Sequence, residues 1–431
     1  MSQVQTDRAV AGRQLTMQKK GPRPGLIDRA FAAEKLLLGR MLEALGNPAL
    51  QLVLWDGQEV TTQAKDPLAR VLIHDRGALL KLIAQPELQF GEMYALGRID
   101  VEGDLARFLE AVFRALPRYG QGGLGQKLLA PFQDSQRNTL LRAQHNVHHH
   151  YDIGNDFYRL WLDRQMVYTC AYFPNPNTGL EEAQIAKFDH VCRKLRLKAG
   201  ETVVEAGCGW GALALHMAKR YGVTVKAYNI SKEQLAVARE RAQREGLDDR
   251  VEFIEDDYRN LRGEYDAFVS VGMLEHVGTE HFMELGSAIH RSLKASGRGL
   301  LHSIGLDFPR PLDAWTQRHI FPGACPPSLS QMMDVLEPFE FSVLDVENLR
   351  LHYAKTLEHW LQRYEAATDS VAAMFDAGFV RTWRLYLSGS LAAFRAGNMQ
   401  LFQVLFSRSR NNQIPWTRDA SWDTPWTPAT H

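Results

Sequence analysis

Apolar residues along this 431-residue chain follow either helical spacing or strand-like alternation. The order in which these two patterns occur divides the chain into two parts. In the first part, stretches of helical spacing and of strand-like alternation predict a small α+β domain. These stretches are the helical 26–46, 78–84 and 105–116 and the alternating 50–54 and 69–73. Residues 117–138 then carry four glycines and two prolines, which is typical of a linker. We therefore predict an N-terminal domain with its linker over residues 1–135 and a second domain over residues 136–431.

In the second part, short apolar runs alternate regularly with amphipathic stretches. The predicted strands are 203–206, 224–228, 251–254, 266–272, 299–304 and 341–346, and the predicted helices are 180–195, 212–221, 232–245 and 280–293. This order predicts an α/β fold with a doubly wound, Rossmann-like sheet whose ligands lie beyond the carboxyl ends of the strands. The proline-rich run 305–338 is long for a connection, and we expect it to form a wall of a substrate site.

A glycine loop follows the first strand of this sheet, with Glu205, Gly207, Gly209 and Gly211 at every second position. Glycines allow a sharp turn and a close approach of ligand to backbone, and the next helix directs its N–H groups to the same place. The spacing differs from the nicotinamide fingerprint G-x-G-x-x-G. It resembles the S-adenosylmethionine loop of Rossmann-like methyltransferases, in which Glu205 would bind the ligand's ammonium or orient the loop. The alternative is a purely structural strand–helix turn.

The charge balance excludes one class of function and suggests a membrane surface as a partner. Fifty basic and fifty acidic residues give no net charge, which argues against a nucleic-acid-binding protein. Residues 1–40 hold eight Lys and Arg against three acids, and 381–431 hold six Arg against two acids. Such basic ends could contact an anionic bilayer, although solvated tails are the alternative for residues 1–25.

Compartment and metal content can be inferred from cysteine, histidine and hydropathy patterns. The four cysteines form no CxxC pair, and the sequence shows neither a signal peptide nor an apolar run long enough to span a membrane. These features predict a cytoplasmic protein that is peripherally associated with the inner face of a membrane. The adjacent histidines 148–150 invite a metal interpretation, but neighbouring side chains in an extended stretch point apart, so we expect no metal site.

Several motifs in order give a specific resemblance to the cyclopropane-fatty-acyl-phospholipid synthases and mycolic acid cyclopropane synthases. They cover about residues 145–410 and are HYD at 150–152, YTCAY at 168–172, GCGWG at 207–211, GMLEHVG at 272–278, HSI at 302–304, IFP at 320–322 and HYAKTL at 352–357. The resemblance implies transfer of a methylene group from S-adenosylmethionine to a cis double bond of phospholipid acyl chains in a bilayer. It also suggests a homodimer. The amino-terminal domain looks like the lipid-binding domain of the bacterial phospholipid-acting branch.

The resemblance also implies site residues and a second small ligand. In the family a bound bicarbonate acts as the base, which implies backbone donors at Cys170 and Ile304 and side-chain contacts from Glu275, His302 and Tyr353. The cofactor contacts carry over to Tyr151, Tyr168, Thr169, Glu205, Gly207, Gly209, Asn229, Gln234, Asp257 and Tyr258. Asn229 stands where many methyltransferases have an acid for the ribose hydroxyls, so Gln234 is the better ribose ligand.

Other interpretations of these residues and of the product stay open on sequence alone. Glu275 could be a solvated loop acid, His302 a core histidine, and Tyr353 a packing residue in a strand-end segment. Cys170 by itself would be a small buried hydrophobe. Related enzymes make branched-methyl, exomethylene or hydroxylated lipids, and a non-catalytic lipid- or S-adenosylmethionine-binding protein is a further alternative.

Overall fold

The computed structural model describes residues 34–40, 42–43, 46–61, 67–115 and 153–417. The predicted linker at 117–138, the proposed domain boundary at residue 135, the histidines 148–150 and Tyr151 lie outside these residues. Residues 1–33 and 418–431 of the basic ends also lie outside them.

The N-terminal unit has a four-stranded sheet covered by helices, as the spacing predicts. Its elements are β1 (Leu50–Leu54), β2 (Glu59–Thr61), β3 (Ala69–Ile73), α1 (Arg76–Ala84), α2 (Pro86–Ala95), β4 (Ile99–Gly103) and α3 (Leu105–Ala115). The strand order is β2-β1-β3-β4, and β1 and β3 run parallel. Alternate residues of β1 and β3 are buried, so each strand turns one apolar face to the helices.

The second unit contains the predicted doubly wound sheet. Its elements are α4 (Asn155–Arg159), α5 (Leu180–Lys194), β5 (Thr202–Ala206), α6 (Ala212–Tyr221), β6 (Thr224–Asn229), α7 (Lys232–Glu245), β7 (Val251–Glu255), β8 (Tyr265–Val271), α8 (Phe282–Ser292), β9 (Leu293–Leu306), α9 (Ala314–His319), α10 (Leu329–Met333), β10 (Phe341–Asn348), α11 (Arg350–Ala366), α12 (Thr368–Met374), α13 (Ala377–Ala396) and β11 (Met399–Arg408). The strand order is β10-β11-β9-β8-β5-β6-β7, and β9, β8, β5, β6 and β7 are parallel.

The strand order reverses at β5, and this reversal fixes where a ligand can bind. From β5 the chain proceeds to β6 and β7 on one side, and then returns to β8 and β9 on the other. A crevice opens outside the carboxyl end of the strand at such a switch point. The glycine loop that follows β5 therefore lies at the edge of this crevice.

The two units pack against each other through the long helix α13. Arg381 donates to the Ile99 carbonyl at 2.9 Å and to the Asp100 carboxylate at 2.6 Å, and its guanidinium lies 4.2 Å from the Tyr94 ring centroid. The run 305–338 also contacts the N-terminal unit, because Trp315 of α9 lies directly over Gly91 of α2. A Cβ on Gly91 would come within 2.3 Å of the indole nitrogen, so the close packing requires glycine there.

One predicted element is wrong, and several observed elements carry no prediction. Tyr353 and the motif around it lie in helix α11, whereas the sequence suggested a strand-end segment. The helix begins directly after β10 because the Asn348 side chain accepts the Arg350 N–H at 2.9 Å and ends the strand. Helix α13 and strand β11 follow from no sequence prediction. Strand β11 inserts between β9 and β10, antiparallel to both.

Candidate active site

The three glycines of the loop all have left-handed backbone conformations, but their surroundings differ. Gly207, Gly209 and Gly211 have φ values of 82°, 53° and 80°. A Cβ on Gly211 would come within 2.6 Å of the Phe253 ring, so this glycine allows α6 to pack on the sheet. A Cβ on Gly209 would meet no atom within 4 Å, because this glycine borders an open cavity.

This cavity brings together nine of the ten residues that the sequence predicts as cofactor contacts. Its lining includes Tyr168, Thr169, Glu205, Gly207, Gly209, Asn229, Gln234, Asp257 and Tyr258. The tenth, Tyr151, lies outside the described residues. The cavity lies beyond the carboxyl ends of β5, β6 and β8, which is the expected place for a ligand of a doubly wound sheet.

The acid at the end of β5 is held in a dry environment. Glu205 is 2% exposed, and one of its carboxylate oxygens, Oε2, has no hydrogen-bond partner. Burial raises the pKa of Glu205 to about 8, although the nearby Lys187 ammonium and a hydrogen bond from the Ala214 N–H oppose this shift. An unsatisfied carboxylate oxygen in a cavity wall is a suitable acceptor for the ammonium of an amino-acid-like ligand.

Asn229 and Gln234 form a connected pair, and the structure distinguishes their roles. The Asn229 amide nitrogen donates to the Gly209 carbonyl at 3.2 Å and to Gln234 Oε1 at 2.8 Å, and its oxygen accepts the Ile230 N–H. Asn229 is therefore committed to holding the glycine loop. Gln234 Nε2 has no partner among the described residues, so it is the member of the pair that can donate to a ligand hydroxyl.

Asp257 and Tyr258 close the far side of the cavity. The Asp257 carboxylate accepts from the Arg259 backbone N–H at 2.9 Å and from its guanidinium at 3.1 Å. Arg259 lies over the Tyr258 ring, 4.8 Å from its centroid. These contacts fix Tyr258 as a flat wall that suits an aromatic base.

The loop 168–173 is anchored from two sides, and the Cys170 amide lies between the anchored groups. On one side Gln184 Nε2 donates to the Thr169 carbonyl at 2.9 Å, and the Tyr172 N–H donates to the Ala183 carbonyl at 3.1 Å. On the other side the N–H groups of Ala171 and Phe173 donate to α11, where Thr356 Oγ1 and His352 Nδ1 accept them. Among the described residues the Cys170 N–H has no acceptor, so it is available to a ligand.

The Cys170 side chain does not have the features of a nucleophile. The thiol is buried and contacts the Ala171 carbonyl at 3.2 Å. Burial raises the pKa of Cys170 far above its usual value, which keeps the sulfur protonated. The backbone N–H is therefore the group that Cys170 can contribute.

A second group of predicted residues lies where β8 and β9 end. Glu275 is on a 3₁₀ turn, Leu274–His276, and its Oε1 accepts the Ile304 N–H at 2.7 Å. Its Oε2 is buried without a partner, and burial raises the pKa of Glu275 to about 7. Glu275 is therefore no solvated loop acid. The Ile304 N–H, expected to contact an anion, donates to Glu275 in this structure, so an anion would share that donor.

His302 lies two residues before Ile304 on β9, so both side chains point to the same face of the sheet. The Gln403 amide nitrogen donates to His302 Nδ1 at 3.0 Å, which leaves the proton on Nε2. His302 Nε2 is buried and has no partner. Burial lowers the pKa of His302 well below its usual value, so the ring is a neutral N–H donor.

Tyr353 approaches from helix α11, which also anchors the Cys170 loop. Its ring packs against Phe394, with 4.6 Å between ring centroids, and against Trp360 at 5.9 Å. The same helix carries His352 and Thr356, which accept N–H groups of that loop. Helix α11 therefore links Tyr353 to the position of the Cys170 amide.

The sequence analysis missed two residues of α5, Gln184 and Lys187. Both are buried, and Lys187 Nζ donates to Thr169 Oγ1 at 2.8 Å. Their signal was present in the sequence. They lie three residues apart on the stripe of Leu180, Ala183 and Val191, which is otherwise apolar. A polar residue on such a stripe must find a buried partner, and here that partner is Thr169.

Two features of the described residues concern the metal and compartment predictions. Residues 153–417, with the described parts of 34–115, contain no group of three His, Cys, Asp or Glu side chains that could hold a metal ion. In the same part of the chain no helix is both long and apolar enough to cross a bilayer.

Comparison with known proteins gives consistent relatives over most of the chain. A family model described as mycolic acid cyclopropane synthetase matches residues 138–404, and one described as a domain of unknown function (DUF7884) matches residues 37–117. A probable fatty acid methyltransferase from Pseudomonas putida is 36% identical over an alignment of 396 residues. This alignment covers 88% of this chain and 97% of the relative. The cyclopropane-fatty-acyl-phospholipid synthase of Escherichia coli strain K12 is 38% identical over 344 residues, 78% of this chain and 86% of the relative.

A solved structure supports the same relationship. The crystal structure of mycolic acid cyclopropane synthase CmaA1 complexed with SAH and CTAB aligns with a TM-score of 0.59 and 32% identity. The alignment covers 62% of this chain and 98% of that chain.

Proposed function

The chain belongs to the mycolic acid cyclopropane synthetase family, whose relatives include S-adenosylmethionine-dependent methyltransferases of lipids, and from this premise we propose its reaction. The protein transfers a methylene group from S-adenosylmethionine to a cis double bond of a phospholipid acyl chain and forms a cyclopropane fatty acid.

The observation that supports this proposal most is that the loop 168–170 both lines the cavity and carries an unused N–H. Tyr168 and Thr169 line the cavity that fits the methyl donor. The next residue, Cys170, has an unused N–H, and Glu275 and His302 each have a buried polar atom without a partner. A reaction in which an alkene takes the donor's methyl group and a small anion then accepts one methyl proton needs a donor site and an anion site.

The residues of the cavity fit S-adenosylmethionine by their chemistry. Glu205 offers a buried acceptor for the ligand's ammonium, Gln234 a donor for the ribose, and Tyr258 a flat surface for the base. Gly209 leaves room for the ligand against the backbone. When bound, S-adenosylmethionine supplies an electrophilic methyl group, and the cavity's part is to hold it at a fixed angle to the alkene.

The second group of residues fits a small anionic base, which we propose is bicarbonate. Transfer of the methyl carbon to the alkene would release S-adenosylhomocysteine as a neutral thioether and leave the positive charge on the lipid, and ring closure would then require loss of one methyl proton. The Cys170 N–H, the His302 Nε2–H and Tyr353 can donate to a small anion, which then accepts that proton. Glu275, with its raised pKa, can share a proton with the anion instead of repelling it.

The surroundings of this site are rich in aromatic rings, which suit a transient cation. Tyr168 lies 5.3 Å from both Trp161 and Trp360, measured between ring centroids, and its hydroxyl hydrogen-bonds to that of Tyr386 at 2.6 Å. The negative faces of such rings stabilise positive charge in a dry site. Phe321 of the proline-rich run packs edge-on against Tyr386, which supports the proposal that this run forms a wall of the substrate site.

We also propose that the protein acts on phospholipid at the inner face of a membrane, without spanning it, and as a homodimer. The basic ends of the sequence and the phospholipid named in the Escherichia coli relative support this assignment. The named activity of the Pseudomonas putida relative favours a second candidate, in which the reaction yields a methylated rather than a cyclopropanated fatty acid.

Turnover with vesicles tests the proposed reaction. The protein is incubated with S-adenosylmethionine and vesicles of cis-unsaturated phospholipid, and S-adenosylhomocysteine is measured. We expect release with cis-unsaturated vesicles and none with fully saturated vesicles. Equal release from both, or none from either while S-adenosylmethionine binds, would contradict the proposal. The latter result would favour a non-catalytic binding protein.

A further inference from the structure

His352 holds the loop 168–173 by an atom that can also take up a proton. The residue lies in the first turn of α11, and its Nδ1 accepts the Phe173 N–H at 3.0 Å. A backbone N–H can only donate, so this ring nitrogen carries no proton when the bond is made. Phe173 follows Cys170 in the same loop. His352 therefore helps to fix the loop whose Cys170 N–H is available to a ligand.

The same imidazole forms one side of a stack of three flat side chains. The Tyr172 ring lies between His352 and His190, with 4.7 Å and 4.2 Å between ring centroids and interplanar angles of 9° and 16°. His190 comes from α5 and His352 from α11, so the two helices hold Tyr172 between them. This stack and the Phe173 hydrogen bond act on neighbouring residues, and together they fix one end of the loop.

The imidazole on the other side of the stack is held by a buried ion pair. His190 Nε2 donates to Glu347 Oε2 at 2.6 Å, and its Nδ1 is buried without a partner among the described residues. Lys194 Nζ lies 2.6 Å from the same carboxylate oxygen. Burial opposes ionisation of Glu347, but the contacts with His190 and Lys194 hold its pKa at about 2. A second proton on His190 would thus have no acceptor, so this ring stays neutral.

At His352 a proton would break an existing contact. A protonated Nδ1 is a donor, so it would face the Phe173 N–H and lose the bond. Besides the stacked tyrosine, the charged or titratable groups that influence this ring are Glu347 of β10, His190 of α5 and Lys355 of the same helix. Burial lowers the pKa of His352 below its usual value, and of these three groups only Glu347 opposes the shift. The ring is therefore neutral at pH 7 and takes up a proton only in acid.

We propose that His352 is a positioning residue whose unprotonated Nδ1 holds the Cys170 loop in place, and that protonation of this nitrogen releases the loop and weakens binding of the small anion. The anion site is complete at neutral pH and is lost as the pH falls through the pKa of His352. The raised pKa of Glu275 acts in the opposite direction, because its carboxylate repels the anion above a pH of about 7. This inference rests on the proposed function, because it requires an anion at the Cys170 N–H.

The bicarbonate requirement of turnover, followed from about pH 8 to about pH 5 across the usual imidazole pKa near 6.5, tests the inference. His352→Asn places an amide oxygen near the position of Nδ1, so it can accept the Phe173 N–H but takes up no proton in this range. Comparison of wild type with this variant at each pH cancels the bicarbonate–CO2 equilibrium and the titration of Glu275. The ratio of their half-saturating bicarbonate concentrations should rise about tenfold toward acid pH. A constant ratio would overturn the inference.

Two further variants separate the hydrogen bond from the ring stacking. His352→Phe keeps a flat ring against Tyr172 but has no acceptor, so it should need more bicarbonate than wild type even at the alkaline end. His359→Phe is the matched control. His359 lies two turns further along α11 and stacks on Phe173 with 5.6 Å between ring centroids, but it has no hydrogen bond to the described residues. This control should follow the pH profile of wild type, and a profile like that of His352→Asn would contradict the proposal.

His190→Gln tests the other imidazole of the stack. Glutamine can still donate to Glu347 but takes up no proton, so the sensitivity to acid should persist in this variant. Sensitivity that is lost in His190→Gln and kept in His352→Asn would overturn the inference and assign the proton to His190. Absence of turnover by wild type at every bicarbonate concentration, while S-adenosylmethionine binds, would instead contradict the proposed function. The two failures are therefore distinguishable.

NMR of the wild-type protein tests the same point if a variant does not fold. At pH 7 the nitrogen-15 chemical shift of His352 Nδ1 should be that of an unprotonated nitrogen. As this nitrogen gains a proton, exchange of the Phe173 amide hydrogen with solvent should accelerate, although acid by itself slows such exchange. A Phe173 amide that stays protected after His352 is protonated would overturn the inference.

Discussion

Gly209 and Gly211 lie two residues apart, yet each is required for a different reason. Gly211 gives α6 room to pack on Phe253, whereas Gly209 borders open space that a ligand would fill. At the same scale Glu275 and His302 each leave one buried polar atom unused. Buried polar atoms usually have hydrogen-bond partners, so these two atoms are available to a polar ligand.

Gly209→Val should abolish binding of S-adenosylhomocysteine in a folded protein, because the branched side chain would occupy the ligand's space. Gly200→Val is the matched control. Gly200 also has a positive φ, 85°, with no atom near its Cβ, but it lies in the turn before β5. Both variants should lose about 1–2 kcal/mol of stability from backbone strain. Calorimetric affinity near that of wild type in Gly209→Val would show that the ligand lies elsewhere.

Bicarbonate should be required for turnover. In buffer depleted of CO2, we expect the rate to fall and to return when bicarbonate is added, with affinity for S-adenosylmethionine little changed. Glu275→Gln should weaken that response, because the amide alters the shared-proton pattern. Loss of one such contact costs roughly 2–4 kcal/mol, or about 30- to 1000-fold in rate. Glu280→Gln, an exposed acid five residues on, should behave like wild type.

The pH dependence of this requirement follows from the raised pKa of Glu275, about 7. Below pH 7 the carboxyl keeps its proton and can donate it to the anion. As the pH rises through 7 the carboxylate becomes charged and repels the anion, so the half-saturating bicarbonate concentration should increase. Full activity in buffer whose CO2 depletion has been verified would contradict this prediction and show that a side chain is the base.

Among the elements, the strands and helices of the sheet could be predicted from periodicity, but helix α11 could not. Strands such as β5 and β6 are short, largely buried runs between turn signals, so their pattern is local. The helix that contains Tyr353 starts directly after β10 with Leu349 at its N-cap and no side-chain cap, so the usual start signal is absent from the sequence. Strand β11 pairs with β9 across about a hundred residues, and no local pattern records such a partner.

The candidate site shows the same limit at the level of elements. Glu275 and the glycine loop could be located because they follow predicted strands. The anchoring of the Cys170 loop by Thr356 could not, because Thr356 acts from a helix that is 185 residues away in sequence. Sequence motifs identify residues that contact ligands better than those that hold such residues in place.

Thr356→Val should lower the turnover number more than the affinity for S-adenosylmethionine. Valine has the same shape but cannot accept the Ala171 N–H, which Thr356 Oγ1 binds at 3.0 Å. An unsatisfied buried N–H costs about 1–3 kcal/mol, so the loop should shift and misplace the Cys170 N–H. Thr356→Ser keeps the hydroxyl and should retain near wild-type turnover. Equal losses in both variants, measured by steady-state kinetics, would indicate a packing effect.

At the scale of the whole molecule, the basic segments 1–40 and 381–431 lead to a prediction about membrane binding. Binding to anionic vesicles should weaken with salt, because the Debye length falls from roughly 10 Å at 0.1 M to 3 Å at 1 M. Deletion of residues 1–25 should also weaken binding to these vesicles, measured by co-sedimentation. Binding that responds neither to salt nor to the deletion would remove the electrostatic part of this proposal.

The central claim is that methyl transfer is followed by loss of one methyl proton and ring closure, and a deuterium-labelled donor tests it most directly. The protein is incubated with cis-unsaturated phospholipid vesicles and S-adenosylmethionine carrying a CD3 group, and the fatty acids are analysed by mass spectrometry and NMR. Ring closure predicts a product that retains two deuterium atoms and, with unlabelled donor, shows the high-field proton signals of a cyclopropane. A product that retains all three deuterium atoms and lacks those signals would contradict the claim and establish a methyl-branched lipid.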